Sequence, residues 1–403
     1  MARSFKGWSA AVAAGAVAAS LAPGAALADP AATATAKVSL KLVADKLNGP
    51  RGITVLKDGT VLVAESGYGG SGPCVGAGEA RQCFGLSGSV YRVKGSRKGR
   101  VATRLPSLGE AGPVDVAVDG KDLVVLSGFG GSTADRKRFG KAAARLGTLY
   151  RVRNGKIRGG AVGDAVDHET RLDPDWILPR EPGGEPSVNG NPWRFVPVRD
   201  HGALIADAGG NDVVGARAGH TTTQAVFPYS GGQVPKQAKA AAASAQARRV
   251  LRAVAGPAGL KAGEAGNVQS VPSGIVKGPD GAYYVSELAG FVPGASRIWK
   301  IRPGYRPQLV VSGLSTIIDI AFDAKGRLLA LQMMKGAPPQ GPDDPPPPGA
   351  LIRIDLKTKK QTELASQGLM MPTGLGTGPH GEIYVSNLGM GKGAGQLLRV
   401  LGA

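Results

Sequence analysis

One phrase recurs along this chain, and it constrains the fold more than any bulk property. Gly49-Pro50-Arg51-Gly52-Ile53 runs through Asp58-Gly59 into Val61-Leu62-Val63-Ala64-Glu65. Val271-Pro272-Ser273-Gly274-Ile275 runs likewise through Asp280-Gly281 into Tyr283-Tyr284-Val285-Ser286-Glu287. Near the C-terminus Met371-Pro372-Thr373-Gly374-Leu375 runs through His380-Gly381 into Ile383-Tyr384-Val385-Ser386-Asn387. Weaker copies start at Pro113-Val114-Asp115, Pro192-Trp193-Arg194 and Ile317-Ile318-Asp319, which makes six. Each copy reads as strand, Asp-Gly-type turn, strand, the strongest short-range hairpin signal. A third strand follows at 89–93, 148–152, 297–301, 350–354 and 396–400.

Small antiparallel sheets repeating in this way bury their faces only against their neighbours, which predicts an all-β, six-bladed β-propeller. The last copy stops after its third strand, while an alternating segment at 38–43 precedes the first. That N-terminal segment is expected to close the last blade and remove two exposed edges. Three stretches fall outside the pattern. Residues 132–146 form an insert that starts with a capping-box-like Ser132-x-x-Asp135. Residues 236–262 form an Ala- and Arg-rich insert of helical character, and 336–349 form a stiff Pro-rich loop.

Residues 1–28 read as an export signal: Arg3 and Lys6, an apolar run over 8–22, and Ala26-Leu27-Ala28 as a cleavage site. The expected domain organisation is this signal followed by one propeller over 29–403. No later stretch is long and apolar enough for a membrane helix. The two cysteines, Cys74 and Cys83, are expected to pair and pin a Gly-rich loop in an oxidising compartment. The net charge of +19 concentrates in 94–104, 132–146 and 236–262. It therefore describes surface segments, read either as contacts for envelope polyanions or as solvated faces, and an aromatic share of 5% argues against base-stacking nucleic-acid sites.

The middle of the chain resembles a known family. Ala206-Asp207-Ala208-Gly209-Gly210-Asn211-Asp212, the run Gly278-Pro279-Asp280-Gly281-Ala282-Tyr283-Tyr284-Val285 with Glu287-Leu288 and Gly290-Phe291, and Ser315-Thr316-Ile317-Ile318-Asp319 carry the likeness. So do Ala134-Asp135-Arg136 and Asn191-Pro192-Trp193. These segments resemble the secreted ScyD/ScyE proteins, NHL-like propellers. The resemblance covers most of 38–403 and implies a secreted propeller with no settled activity. It departs from the family at Val292-Pro293-Gly294-Ala295 and at Trp193, where Tyr is usual.

Aligning the copies places two rings of residues at one channel mouth. Second-strand ends supply Glu65, Ser127, Asp207, Glu287, Gln332 and Asn387; first-strand starts supply Gly52, Asp115, Arg194, Gly274, Asp319 and Gly374. In a six-fold ring Glu65 faces Glu287, Asp115 faces Asp319, and Asp207 faces Asn387. The candidate ligand-binding residues are thus Glu65, Asp115, Arg194, Asp207, Glu287, Asp319 and Asn387. Hard oxygen ligands from Glu65, Asp207, Glu287 and Asn387 would suit Ca²⁺, an arrangement that resembles propeller lactonases. The same residues also serve as strand-ending Asx turns, with Arg194 pairing to Asp115 or Asp319 and Asp207 making a tight turn before Asn211. His168, flanked by Asp164, Asp167 and Glu169, is read as part of a solvated loop. No Gly-x-Ser-x-Gly elbow, zinc set or dinucleotide fingerprint is present. The leading expectation is a non-catalytic binding or scaffold protein for an extracellular or cell-envelope ligand, compatible with a monomer. The alternative is a Ca²⁺-dependent, lactonase-like hydrolase acting at the mouth.

Overall fold

The computed structural model describes residues 38–78, 81–175, 188–228, 268–302, 305–339 and 344–403. The export signal at 1–28 and the basic insert at 236–262 lie outside the described residues. Within them the chain forms six antiparallel sheets.

β1 (Ser39–Leu47) is the N-terminal strand. The first blade follows as β2 (Pro50–Val55), β3 (Val61–Glu65), β5 (Gln82–Lys94) and β6 (Arg97–Leu108), with the short β4 (Cys74–Val75) paired to the start of β5. The second comprises β7 (Pro113–Asp119), β8 (Asp122–Ser127), β9 (Thr148–Arg153) and β10 (Lys156–Asp164). The third comprises β11 (Pro192–Val198), β12 (Gly202–Asp207), β13 (Asp212–Arg217) and β14 (His220–Val226). β15 (Pro272–Lys277), β16 (Tyr283–Glu287), β17 (Ser296–Ile301) and β18 (Gln308–Leu314) make the fourth. β19 (Ile317–Phe322), β20 (Leu328–Gln332), β21 (Ala350–Ile354) and β22 (Gln361–Ala365) make the fifth. In the sixth, β23 (Gly374–Thr377), β24 (Ile383–Asn387) and β25 (Gly395–Leu401) are completed by β1, which pairs antiparallel with β25 from Ser39–Leu401 to Leu47–Gly395. The ring is therefore closed by its two ends, as the sequence predicts.

The hairpins form where the Asp-Gly signals stand. Asp58 Oδ1 accepts the Thr60 amide at 3.0 Å, and Asp323 Oδ1 accepts those of Lys325 and Arg327 at 2.9 Å. Gly59 and Gly281 supply the positive φ that such turns demand, at 76° and 78°. Apolar side chains then fill the spaces between blades. Leu329, Leu331 and Leu351 of the fifth blade pack with Leu375, Val385 and Leu398 of the sixth. Tyr284 and Ile298 of the fourth pack with Ile320 and Ile352 of the fifth, and equivalent clusters join every other neighbouring pair. Adjacent inner strands are not laddered together; side chains clip them instead. Ser273 Oγ donates to Ile317 O at 2.6 Å and Thr373 Oγ1 to Pro50 O at 2.6 Å. Where the sixth blade meets the first, a Cβ on Gly374 would stand 2.0 Å from Arg51 O, so only glycine fits.

Two helices lie beside the second blade. α1 (Thr133–Lys137) carries the expected capping box, with Ser132 and Asp135 bonding each other's backbone. α2 (Ala165–Leu172) replaces the expected solvated loop: Asp164 caps it, and it buries Val166, His168 and Glu169. The reading of His168 as solvated is corrected here, because its ring nitrogens meet Thr221 Oγ1 at 3.0 Å and Thr223 Oγ1 at 2.9 Å. Phe129, Phe139, Leu146 and Val166 form a small separate core under these helices. Cys74 and Cys83 are disulfide-bonded across β4 and β5. No helix among the described residues is long and apolar enough to cross a membrane.

Candidate functional site

At one face of the ring the inner strands begin, and their ladders carry an extra residue. In the third blade Pro192 opposes Asp207 while Arg194 opposes Ala206, so Trp193 bulges from the pairing. Val114, Ser273 and Ile318 bulge in the same place in the second, fourth and fifth blades. In the first blade the irregularity takes in Arg51 and Gly52. A bulge re-aims its side chain and bends the strand. Arg51, Val114, Trp193, Ser273 and Ile318, together with Thr373 just before β23, line one cavity of about 400 Å³.

The cavity wall is mainly apolar, with Leu288, Phe291, Met333 and Met390 adding to Val114 and Ile318. Two cations meet Trp193, which lines the cavity together with Phe291. The guanidiniums of Arg51 and Arg194 lie over the Trp193 ring, 5.3 and 5.5 Å from its centroid. Arg51 is buried; that burial pulls its guanidinium down to about 10, against support from Glu110 at 3.7 Å. Its Nη1 donates to Gly389 O at 2.7 Å, while its Nε and the Trp193 Nε1 are buried without a partner.

Beneath the cavity Arg194 closes the channel. Its Nε meets Asp319 Oδ2 at 3.0 Å, Nη1 donates to Val114 O at 2.9 Å, and Nη2 donates to Thr373 O. Asp115 and Asp319 each tie the next inner strand, accepting the amides of Phe195 at 3.0 Å and Leu375 at 2.9 Å. Burial pushes the Asp115 carboxyl up to about 7 despite Arg194, and raises Asp319 as well. Of the predicted facing pairs, Asp115 and Asp319 are thus brought together around one arginine.

Glu65, Asp207, Glu287 and Asn387 are each taken up within their own blades. Glu65 accepts the Asn48 amide at 2.8 Å, Asp207 that of Asn191 at 2.6 Å, and Asn387 that of Met370 at 2.8 Å. These three residues fasten the chain entering each blade to the end of its second strand. Glu65 also holds Arg100 through two bonds of 2.7 Å. Glu287 holds Arg297 at 2.5 and 3.0 Å and Trp299 Nε1 at 2.7 Å, and burial still pushes its carboxyl up to about 7. Ser127 is buried, and Gln332 donates to Ser315 O at 3.0 Å. The residues that reach the cavity from the second strands are the ones that follow: Gly128, Ala208, Leu288 and Met333. Aligned repeats locate the strand ends, but the bulges and the period-two alternation put the neighbouring residue in the mouth.

A second group of acids was not singled out from the sequence. Ligand oxygens of Glu169 in α2, and of Asp173 and Asp175 just beyond it, lie within 4.8 Å of one another. Asp207 and Asp212, on either side of the β12–β13 turn, add to this charge. Burial and then like-charged neighbours push Glu169 up to about 9 and Asp212 well above the carboxylate range. Asp175 is pushed up to about 7 by burial, with Asn211 Nδ2 donating to it at 2.7 Å. The clue in the sequence was two acids four apart, Glu169 and Asp173, which share a face only if the segment is helical.

No protein-family model matches the chain, and no curated protein does. Among solved structures it is similar to a protein of unknown function from Bacteroides thetaiotaomicron, with a TM-score of 0.50 and 10% identity over 90% of this chain and 76% of that one. It is also similar to an oxidoreductase of glucose dehydrogenase type from Thermus thermophilus, with a TM-score of 0.49 and 16% identity over 90% of this chain and 100% of that one. A gluconolactonase from Xanthomonas campestris gives a TM-score of 0.49 and 10% identity, over 91% of each chain. At such identities a likeness concerns the fold alone. The chain is a six-bladed β-propeller whose strands pair as the repeats predict.

Proposed function

We propose that this protein is an exported binding module of the ScyD/ScyE type. Its mouth cavity holds a small molecule with an apolar or aromatic body and an anionic or hydrogen-bond-accepting group. The supporting observation is the cavity wall. Five bulges turn Arg51, Val114, Trp193, Ser273 and Ile318 into a space of about 400 Å³, within the range that encloses small ligands. An apolar wall supplies affinity, while the unpartnered N–H groups of Arg51 Nε and Trp193 Nε1 orient an accepting or anionic end. The lactonase-like alternative would need ligands from Glu65, Asp207, Glu287 and Asn387. Glu65, Glu287 and Asn387 already hold amides or guanidiniums of their own blades, and Asp207 lies with the acids beside α2, which weighs toward binding.

The test is titration of the folded protein with 1-anilinonaphthalene-8-sulfonate, an aromatic anion of suitable size. One dye per chain is expected, with affinity falling at least about tenfold in Trp193→Ala and in Ile318→Asp. Dye binding that is unaffected by both changes would place any apolar site elsewhere and sink the reading.

A further inference from the structure

Among the described residues, the acid group beside the third blade carries more charge than its surroundings balance. Asp212 is 1% exposed, and neither of its carboxylate oxygens has a hydrogen-bond partner. Glu169 Oε1 and Asp207 Oδ2 are likewise unpartnered, in residues 2% and 1% exposed. Buried carboxylate oxygens are normally bonded, and buried charges are paired or hold metals. Among the described residues no Lys or Arg pairs with Glu169, Asp207 or Asp212. His168 Nε2 is 3.8 Å from Asp212, but both ring nitrogens are committed to threonines.

The carboxylates of Glu169 and Asp212 converge on one glycine. A Cβ built on Gly210 would stand 2.8 Å from Glu169 Oε2 and 3.4 Å from Asp212 Oδ1, so both carboxylates flank that glycine. Asp207 turns Oδ1 to the amides of Gly209 and Gly210 at 3.0 and 3.1 Å, which leaves Oδ2 unused. Asp175 and Asp173 approach Glu169 from the chain leaving α2.

We propose that Glu169, Asp175, Asp207 and Asp212 hold a hard divalent cation of the Ca²⁺ class, with Asp173 at the edge of the site. An all-oxygen donor set rich in carboxylates suits Ca²⁺, which accepts six to eight oxygens in loose geometry, and does not suit thiophilic metals. The ion would tie α2 to the β12–β13 turn. Asp207 also takes the Asn191 amide, and Asn191 lines the mouth cavity, so the ion would steady one wall of that cavity. The site shares only Asp207 with the channel-mouth rings and does not depend on what the cavity binds.

The test uses the full chain, stripped with chelator and titrated separately with Ca²⁺, Mg²⁺, Mn²⁺ and Zn²⁺ by calorimetry and thermal melting. One Ca²⁺ per chain is expected, with the melting temperature rising by about 3 °C or more at a hundredfold excess over Kd. Asp212→Asn with Glu169→Gln should weaken Ca²⁺ at least about tenfold. The metal-free double variant should melt no lower than the stripped parent, since it loses mutual repulsion; that result separates a lost site from a damaged fold. Absence of heat and of any melting shift with Ca²⁺, a response to Zn²⁺ alone, or Ca²⁺ binding undiminished in the double variant would each overturn the proposal.

Discussion

Arg194 of the third blade and Asp319 of the fifth meet across the channel, Nε to Oδ2 at 3.0 Å, and both are buried. The same guanidinium bonds the Val114 and Thr373 carbonyls, so one side chain joins four blades. Removing one partner of a buried pair costs far more than the pair is worth, because the other charge is left stranded. Arg194→Met should therefore destabilise the protein by about 3–5 kcal/mol, measured by denaturant unfolding. Asp319→Asn, which can still accept the Leu375 amide, should cost less.

One guanidinium serving two carboxylates also predicts a pH dependence. Asp115 has its folded value raised to about 7, first by burial and also by Asp319. Between about pH 4 and pH 7 the native state therefore keeps a proton that the unfolded chain has lost. Stability contributed by this group is greatest at the acidic end of that window and falls as pH rises through it. The loss is on the order of 3 kcal/mol and levels off above about pH 7. Unfolding curves at several pH values should show this slope, and Asp115→Asn should flatten part of it.

The propeller was legible because its signals are local and repeated. Asp58-Gly59 and Asp280-Gly281 mark hairpins wherever they stand, and six copies leave few other ways to bury the faces. Closure by β1 followed from a missing strand at one end and a spare one at the other. The mouth was harder to read. A bulge at Trp193 or Ile318 depends on how strands coil around an axis, and the repeat phrase carries no mark of it. The acid group was hidden for another reason. Its members are split between α2 and the β12–β13 turn, and α2 owes its place to burial of Val166 and His168 against neighbouring elements.

The Cys74–Cys83 bridge encloses a short loop at the edge of the first blade. A disulfide stabilises mainly by restricting the unfolded chain, and less so for short loops. Reduction should lower stability by no more than about 3 kcal/mol. Hydrogen exchange should increase around β4 and the start of β5 while the other blades keep their protection.

The closing strand should matter far more than the bridge. β1 brings Ala44 and Leu47 into a core with Ile53, Val61, Tyr384 and Leu397, and Leu47 is completely buried. Leu47→Ala deletes buried atoms at the joint between the last blade and the first, where Gly374 already leaves no slack. Its expected cost is about 2–5 kcal/mol. Deleting Ser39–Leu47 goes further, because it bares the β25 edge along its length and invites pairing with another chain. The truncated protein should melt well below the parent and run as soluble aggregates on size exclusion. A monomeric truncation with an unchanged melting temperature would show that the ring holds without its clasp.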